Sequence, residues 1–378
     1  MLCTNRARAL SKQGIEPLEG RLLLSGSPGH GDDGGGNGGD RFRPTASTQV
    51  AVADFNGDGK ADIASLTTVN LSRKSSGTSL VVQLGKGDGT FAPASANVIA
   101  GGTKILAGDF NHDGKQDLAI LGVDTAGNTS VTLYSGDGTG KFVAGTPQNV
   151  GVLPLANVGA GDVNGDGFSD LVAWNNGSVY VALNDGTGKL LPAVQNDNPF
   201  GTTANPVALG DLDGDGRPEL VGVNGNQIYL NKAVASTGVY MLNFIPTLTN
   251  QIPLANKKLV VADVNGDGKN DFIALGDGSV NVALQIVAPG SSVLTFGPWI
   301  RTSADADLTH AQVGDVNGDG KADVFLPSSG DDGFGSRSRL TLISNGDGTF
   351  SKLSNHGKPG DHGDHDDGDD DDDQGDDD

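Results

Sequence analysis

Residues Asp315 to Val324 read DVNGDGKADV. Oxygen-bearing side chains stand at alternate positions, Asp315, Asn317 and Asp319, and Gly320 follows. A stretch of this kind opens two different structures. One is a helix–loop–helix ion loop, whose twelfth residue must be a carboxylate that clamps the ion with two oxygens. The other is a loop between two strands. The twelfth residue here is Leu326, and the apolar run Val324 to Leu326 begins directly after Asp323. A strand therefore starts where the helical motif would still be loop.

The stretch has five relatives. They are DFNGDGKADI from Asp54, DFNHDGKQDL from Asp109, DVNGDGFSDL from Asp162, DLDGDGRPEL from Asp211 and DVNGDGKNDF from Asp263. Successive starts are 55, 53, 49, 52 and 52 residues apart, a regular internal repeat. An apolar run leads into each copy and another follows it. The residue just before the first Asp is always small: Ala53, Gly108, Gly161, Gly210, Ala262 or Gly314. Small side chains there imply close backbone approach. Short Val-, Ile- and Leu-rich runs bounded by glycine read as buried strands.

A third apolar run completes each unit, as in SLVVQLG, VTLYSG and VYVALN. Four units then carry an Asp-Gly turn, leading to Phe91, Phe142, Leu190 and Phe350. Asp-Gly between apolar runs marks a hairpin, because its turn needs positive φ. Units four and five have longer connections around Ala233 to Leu242 and Val287 to Leu294. No helical period longer than two turns occurs between residues 47 and 353. The expected fold is all-β, with each unit of about 50 residues forming one four-stranded propeller blade. Six blades are expected, and a seventh only if units four or five hide further strands.

The loops share one chemistry. Position 1 is Asp54, Asp109, Asp162, Asp211, Asp263 or Asp315, and position 3 is Asn56, Asn111, Asn164, Asp213, Asn265 or Asn317. Position 5 is Asp58, Asp113, Asp166, Asp215, Asp267 or Asp319, and position 6 is always Gly. Position 7 varies, being Lys60, Lys115, Phe168, Arg217, Lys269 or Lys321, as expected if only its backbone carbonyl is used. Position 9 is acidic throughout: Asp62, Asp117, Asp170, Glu219, Asp271 or Asp323. Calcium takes six to eight oxygens in a flexible shell. Oxygens from positions 1, 3, 5, 7 and 9 would supply one, with the position 6 glycine allowing the turn. Ordinary polar turns use Asp, Asn and Gly freely but do not repeat an acid at position 9 six times. The nine-residue period of calcium-binding β-roll repeats does not fit. Bracing of the loops is the simplest role for such an ion. The fourth loop departs from the rest at Asp213, Pro218 and Glu219. His112, at position 4 of the second loop, reads as exposed and not as a ligand.

The frame of small residue, Asp-x-Asn-x-Asp-Gly-x-x-Asp, strand and GDGTF hairpin resembles the VCBS/FG-GAP repeats, found in the ligand-binding head of integrin α chains and in many bacterial surface proteins. The resemblance spans residues 47–353. It implies a β-propeller, commonly seven-bladed, with one calcium loop per blade and ligands at positions 1, 3, 5, 7 and 9. Near the N-terminus, IEPLEGRLLLSGSP from Ile15 resembles the LEPR-xLL motif of large bacterial surface proteins, with Gly20 where that motif has proline.

The remaining composition narrows the role. Formal net charge is −22, and the last 18 residues hold twelve aspartates and no Lys or Arg. Nucleic acid needs a basic surface, so it is excluded as a partner, whereas cations are attracted. Cys3 is the single cysteine, so no internal disulfide forms. No run of 18 apolar residues occurs, so no membrane span is expected. Leu22 to Leu24 is too short for the core of a secretory signal. Residues 1–46 read as a leader and glycine-rich linker, and 354–378 as a disordered acidic tail. That tail is simplest as a solubilising segment, though His362, His365 and its aspartates offer loose divalent binding.

Three functions follow. The favoured one is a calcium-braced interaction or adhesion module, extracellular or on the cell surface, with a protein or glycan ligand. The second is a lectin, although aromatics are only 5% of the chain. The non-catalytic propeller of a hydrolase system stands beside the lectin as an alternative, and the third function is an enzyme. No nucleophile–base pair stands out between residues 47 and 353, where His112 and His310 are the only histidines, so no catalytic residues are expected.

Overall fold

The computed structural model describes residues 46–72, 75–92, 95–99, 101–175, 177–200, 205–224, 227–233, 245–246, 258–276, 278–286, 294–326 and 340–353. The LEPR-xLL-like stretch, the glycine-rich linker and the acidic tail lie outside the described residues. So does most of the long connection in unit four.

Every repeat folds as one antiparallel sheet. Blade 1 is β1 (Ala46–Ala53), β2 (Asp62–Ser72), β3 (Ser75–Gln83) and β4 (Ser95–Ile99). Blade 2 is β5 (Lys104–Gly108), β6 (Asp117–Val123), β7 (Thr129–Gly136) and β8 (Phe142–Ala144), with β9 (Gln148–Asn149) also paired to β7. Blade 3 is β10 (Val158–Gly161), β11 (Asp170–Trp174), β12 (Ser178–Ala182) and β13 (Val194–Asp197). Blade 4 is β14 (Asn205–Gly210), β15 (Glu219–Asn224), β16 (Gln227–Asn231) and β17 (Ile245–Pro246). In blade 5, β18 (Lys258–Ala262), β19 (Asp271–Gly276) and β20 (Ser279–Ala283) precede a two-stranded ribbon, β21 (Gln285–Ile286) with β22 (Thr295–Phe296). Its outer strand is β23 (Ile300–Ser303). Blade 6 is β24 (Gln312–Gly314), β25 (Asp323–Leu326), β26 (Leu340–Ser344) and β27 (Phe350–Lys352). The ribbon is the extra pairing hidden in unit five, and it is not a seventh blade. The described strands make a six-bladed propeller.

The ring follows from which residues are buried. β11 and β19 are buried along their whole length, because a second strand is covered on both faces by neighbouring blades. First strands sit side by side: β1 lies next to β5 and β24, β5 next to β10, and β18 next to β14 and β24. One apolar cluster fills each of the six blade interfaces. The seam between the last blade and the first is filled by Ala61, Ile63 and Phe91 from blade 1 with Val316 and Phe325 from blade 6.

The small residue before each loop faces the next blade. A Cβ on Gly210 would lie 2.6 Å from Val261 Cβ, and one on Gly161 would lie 2.8 Å from Pro218 Cγ. This is the close approach expected from the sequence. Among the described residues no helix is long and apolar enough to cross a membrane.

Candidate metal centres

The six loops connect the first and second strands, and each is coiled by its own side chains. Asp315 Oδ1 accepts the N–H groups of Asn317, Gly318 and Asp319, and Oδ2 accepts Gly320 N–H at 2.7 Å. That last bond recurs in all six loops at 2.7–2.9 Å. The position 3 side chain accepts the N–H of position 5, and position 5 accepts that of position 7. Coiling this tight needs left-handed backbone at positions 4 and 6, with φ of 77° at Gly318 and 80° at Gly320. His112 takes position 4 in the second loop with φ of 58°. It is exposed, as expected, but not idle: its Nδ1 lies 2.6 Å from Gly167 O in the third loop.

Position 9 is different in kind. Asp62, Asp170, Asp271 and Asp323 are 0% exposed, Asp117 is 1% and Glu219 is 3%. One oxygen accepts the N–H of position 2, where an apolar plug (Phe55, Phe110, Val163, Leu212, Val264 or Val316) enters the blade interface. In five blades the other oxygen accepts an amide at or just beyond the end of the third strand: Gly85, Gly136, Asn184, Gln285 or Ser344. The acid therefore satisfies two backbone groups that burial would otherwise leave unpaired. Sequence reasoning missed this role. The alternating buried residue at position 2 was the available signal.

These same acids are electrostatically uneasy. Burial pushes Asp62 and Asp271 up to about 6, and Asp170 and Asp323 up to about 7, despite the amide bonds. Charge on positions 1 and 5 of the same loop pushes in the same direction, and Asp117 is raised likewise by burial, Asp113 and Asp109. Each of these position 9 acids thus feels two further carboxylates of its own loop. A carboxylate keeps lone pairs free after accepting two amides, so the set offers only hard oxygen donors.

The position 7 side chains do more than their variation suggested. Lys60, Lys115, Lys269 and Lys321 each reach the position 5 acid of their own loop, at 3.4, 3.5, 3.9 and 2.9 Å. Backbone bonds link neighbouring loops: Ala61 N–H to Asp315 O, Ser169 N–H to Asp109 O and Ala322 N–H to Asp263 O, at 2.6–2.8 Å.

The fourth loop gathers the densest charge. Asp211, Asp213, Asp215 and Glu219 each offer an oxygen within 4.8 Å of the others, and the group could hold a metal ion. A protein cation already stands there. Lys232 Nζ is 2.6 Å from Asp213 Oδ2, 3.4 Å from Glu219 Oε1 and in contact with Asp215 Oδ2. Arg217 Nη2 is 2.7 Å from Asp215 Oδ2. Partial burial raises the Asp215 pKa, but Lys232 and Arg217 outweigh it and hold the carboxyl down at about 2.

Comparison with known proteins agrees with this architecture. The FG-GAP-like repeat matches residues 109–172, 162–222 and 263–326, and the FG-GAP repeat matches residues 46–65. No curated protein matches the chain. Among solved structures, an Agrocybe aegerita lectin described as recognising non-reducing terminal N-acetylglucosamine is 23% identical, with a TM-score of 0.50, over 82% of this chain and 81% of that one. The Photorhabdus luminescens Tc holotoxin pore is 17% identical over 77% of this chain, with a TM-score of 0.45. The match covers only 14% of that holotoxin chain. The repeat matches and the six-bladed ring together place the chain in the FG-GAP repeat family of β-propellers.

Proposed function

We propose that the loops of blades 1, 2, 3, 5 and 6 bind calcium, and that the braced ring is a non-catalytic interaction module at or outside the cell surface. One observation carries the calcium reading. In each of these loops burial, and then the charge of positions 1 and 5, raises the proton affinity of the position 9 acid, and where position 7 is lysine its ammonium reaches the position 5 acid. A divalent cation relieves that repulsion. The side-chain oxygens of positions 1, 3, 5 and 9, with the carbonyl of position 7, supply hard donors, and calcium tolerates the irregular shell that magnesium does not. The ion would brace each loop and, through the bonds between loops, the end of the ring they form.

Ligand binding to the folded state alone stabilises it by mass action. Millimolar calcium should therefore raise Tm and EDTA should lower it, with affinity of order 10⁻⁴–10⁻³ M, as in extracellular modules. A melting curve unchanged across that range would end the calcium reading.

The likeness in fold to a lectin supports a glycan ligand only as a second reading. The exposed large apolar side chains among the described residues are all aliphatic, and Phe91, Trp174 and Phe350 are buried. Phe142, Tyr180 and Trp299 are half-buried against the blade clusters, and none of the described Phe, Tyr or Trp rings is exposed, so we favour a protein ligand. Calcium-dependent capture of a defined oligosaccharide on a glycan array would reverse that preference.

A further inference from the structure

We propose that Lys232 is the resident cation of the fourth loop, so that this blade is braced by an internal ammonium and the ring takes five calcium ions, not six. The count of five rests on the calcium reading above; the role of Lys232 does not.

Three observations agree. The first is geometric. Lys232 Nζ meets three acids of its loop, Asp213, Asp215 and Glu219. The second is the register of the blade. Lys232 follows Asn231, the partner of Leu220. The same place holds Leu84, Ser135, Leu183, Leu284 and Ile343 in the other five blades. A cation at this point of the third strand is unique to the blade whose loop has an extra acid. The third is Glu219 itself. Its Oε2 accepts Leu212 N–H at 2.7 Å, as position 9 does in every blade. Its Oε1 is buried without a hydrogen-bond partner and faces Lys232 at 3.4 Å. The shorter Asp of the other loops places that oxygen on an amide at the end of the third strand instead.

The charges explain why these changes belong together. The other loops present three carboxylates and one Asn. The fourth presents four carboxylates, with Lys232 and Arg217 against them. Arg217 takes the place of the position 7 lysine that four other loops carry, so Lys232 is the added cation that answers the added acid. Calcium would have to displace the ammonium or share the pocket with it, and like charges at such range repel strongly in partly buried surroundings.

The test is calcium counting by native mass spectrometry on the full chain, together with melting in EDTA. Wild type should bind five ions, and Lys232→Leu, which installs the residue of blades 1, 3 and 5, should bind six. In EDTA, Lys232→Leu should lower Tm by several degrees, while Lys60→Leu, which removes one exposed ion pair to Asp58, should change it little. Should Lys232→Leu fail to fold, Lys232→Leu/Asp213→Asn/Glu219→Asp rebuilds the loop of the other blades and should bind six. Six ions in wild type with no gain in the variants would overturn the proposal, as would an unchanged Tm of Lys232→Leu in EDTA. Wild type binding none while Lys232→Leu gains one would sink the calcium reading of the other loops and leave this proposal standing.

Discussion

Asp323 accepts the N–H groups of Val316 and Ser344 while wholly shielded from water. Asp319, four residues earlier, faces solvent and accepts only at the rim of the loop. Both are ligand positions by sequence, yet their removal should differ. Asp323→Ala leaves two buried amides without acceptors, at about 1–3 kcal/mol each. It should lower the denaturation midpoint even in EDTA, whereas Asp319→Ala should lower it only when calcium is present. Equal effects of the two variants in EDTA would show that position 9 is a ligand and nothing more. The pH response has a definite sign. With folded pKa values raised to about 6 or 7, the position 9 acids favour the native state most when protonated, and that contribution fades as pH rises through the folded values. Calcium-free protein should therefore gain Tm between pH 7.5 and about 5, and the increment from calcium should shrink over the same range, because protons compete for the ligands. Scanning calorimetry in EDTA and in calcium checks both. The acid at position 9 was legible in the sequence, but its amide partners were not. Those partners are fixed by strand register across the blade, which no local pattern carries.

A blade depends on how closely its first strand can approach the next one. Gly210 ends β14 with Val261 of β18 in the way of any side chain. A Cβ contact of 2.6 Å against a β-branched neighbour cannot be relieved by one rotamer change. Gly210→Ala should cost about 1–3 kcal/mol, as overpacking does. Ala53→Gly, which only removes a methyl, should cost less. Thermal melting of the two variants compares them, and a harmless Gly210→Ala would mean the blades slide apart freely. The small residues, the three apolar runs and the Asp-Gly turns were all legible as elements, since each has a local steric reason. The outer strands were less so. Phe91 and Leu190, which follow their turns, form single bridges to Gly85 and Asn184, and the fourth strands of those blades begin later, at Ser95 and Val194. The ribbon of β21 and β22 also escaped notice, being two residues on each side. Outer strands pair on one side only, so their sequences are weakly constrained.

Across the whole ring, five blade interfaces join consecutive blades and one does not. At that seam the two ends of the propeller meet by packing and by the bond from Ala61 N–H to Asp315 O, with every described blade built from its own strands in order. The seam cluster has five buried apolar residues among those described. The other interfaces have nine to eleven. A ring that opens there keeps its blades stacked as an open array, in which each unit contacts only its neighbours. Phe325 is the natural probe, because it is 1% exposed and its ring centre is 5.9 Å from that of Phe91 across the seam. Phe325→Ala should cost about 3–5 kcal/mol in cavity and lost burial. Its amide exchange should quicken first in blades 1 and 6, by an opening that lies below global unfolding. Phe272→Ala is the control, since Phe272 is equally buried between blades 4 and 5, which the chain itself holds together. That variant should lose stability without exposing blades 1 and 6 ahead of the rest. Exchange that quickens evenly around the ring in Phe325→Ala would mean that closure is no weaker than any other interface. The propeller would then unfold as one unit in spite of its thin seam.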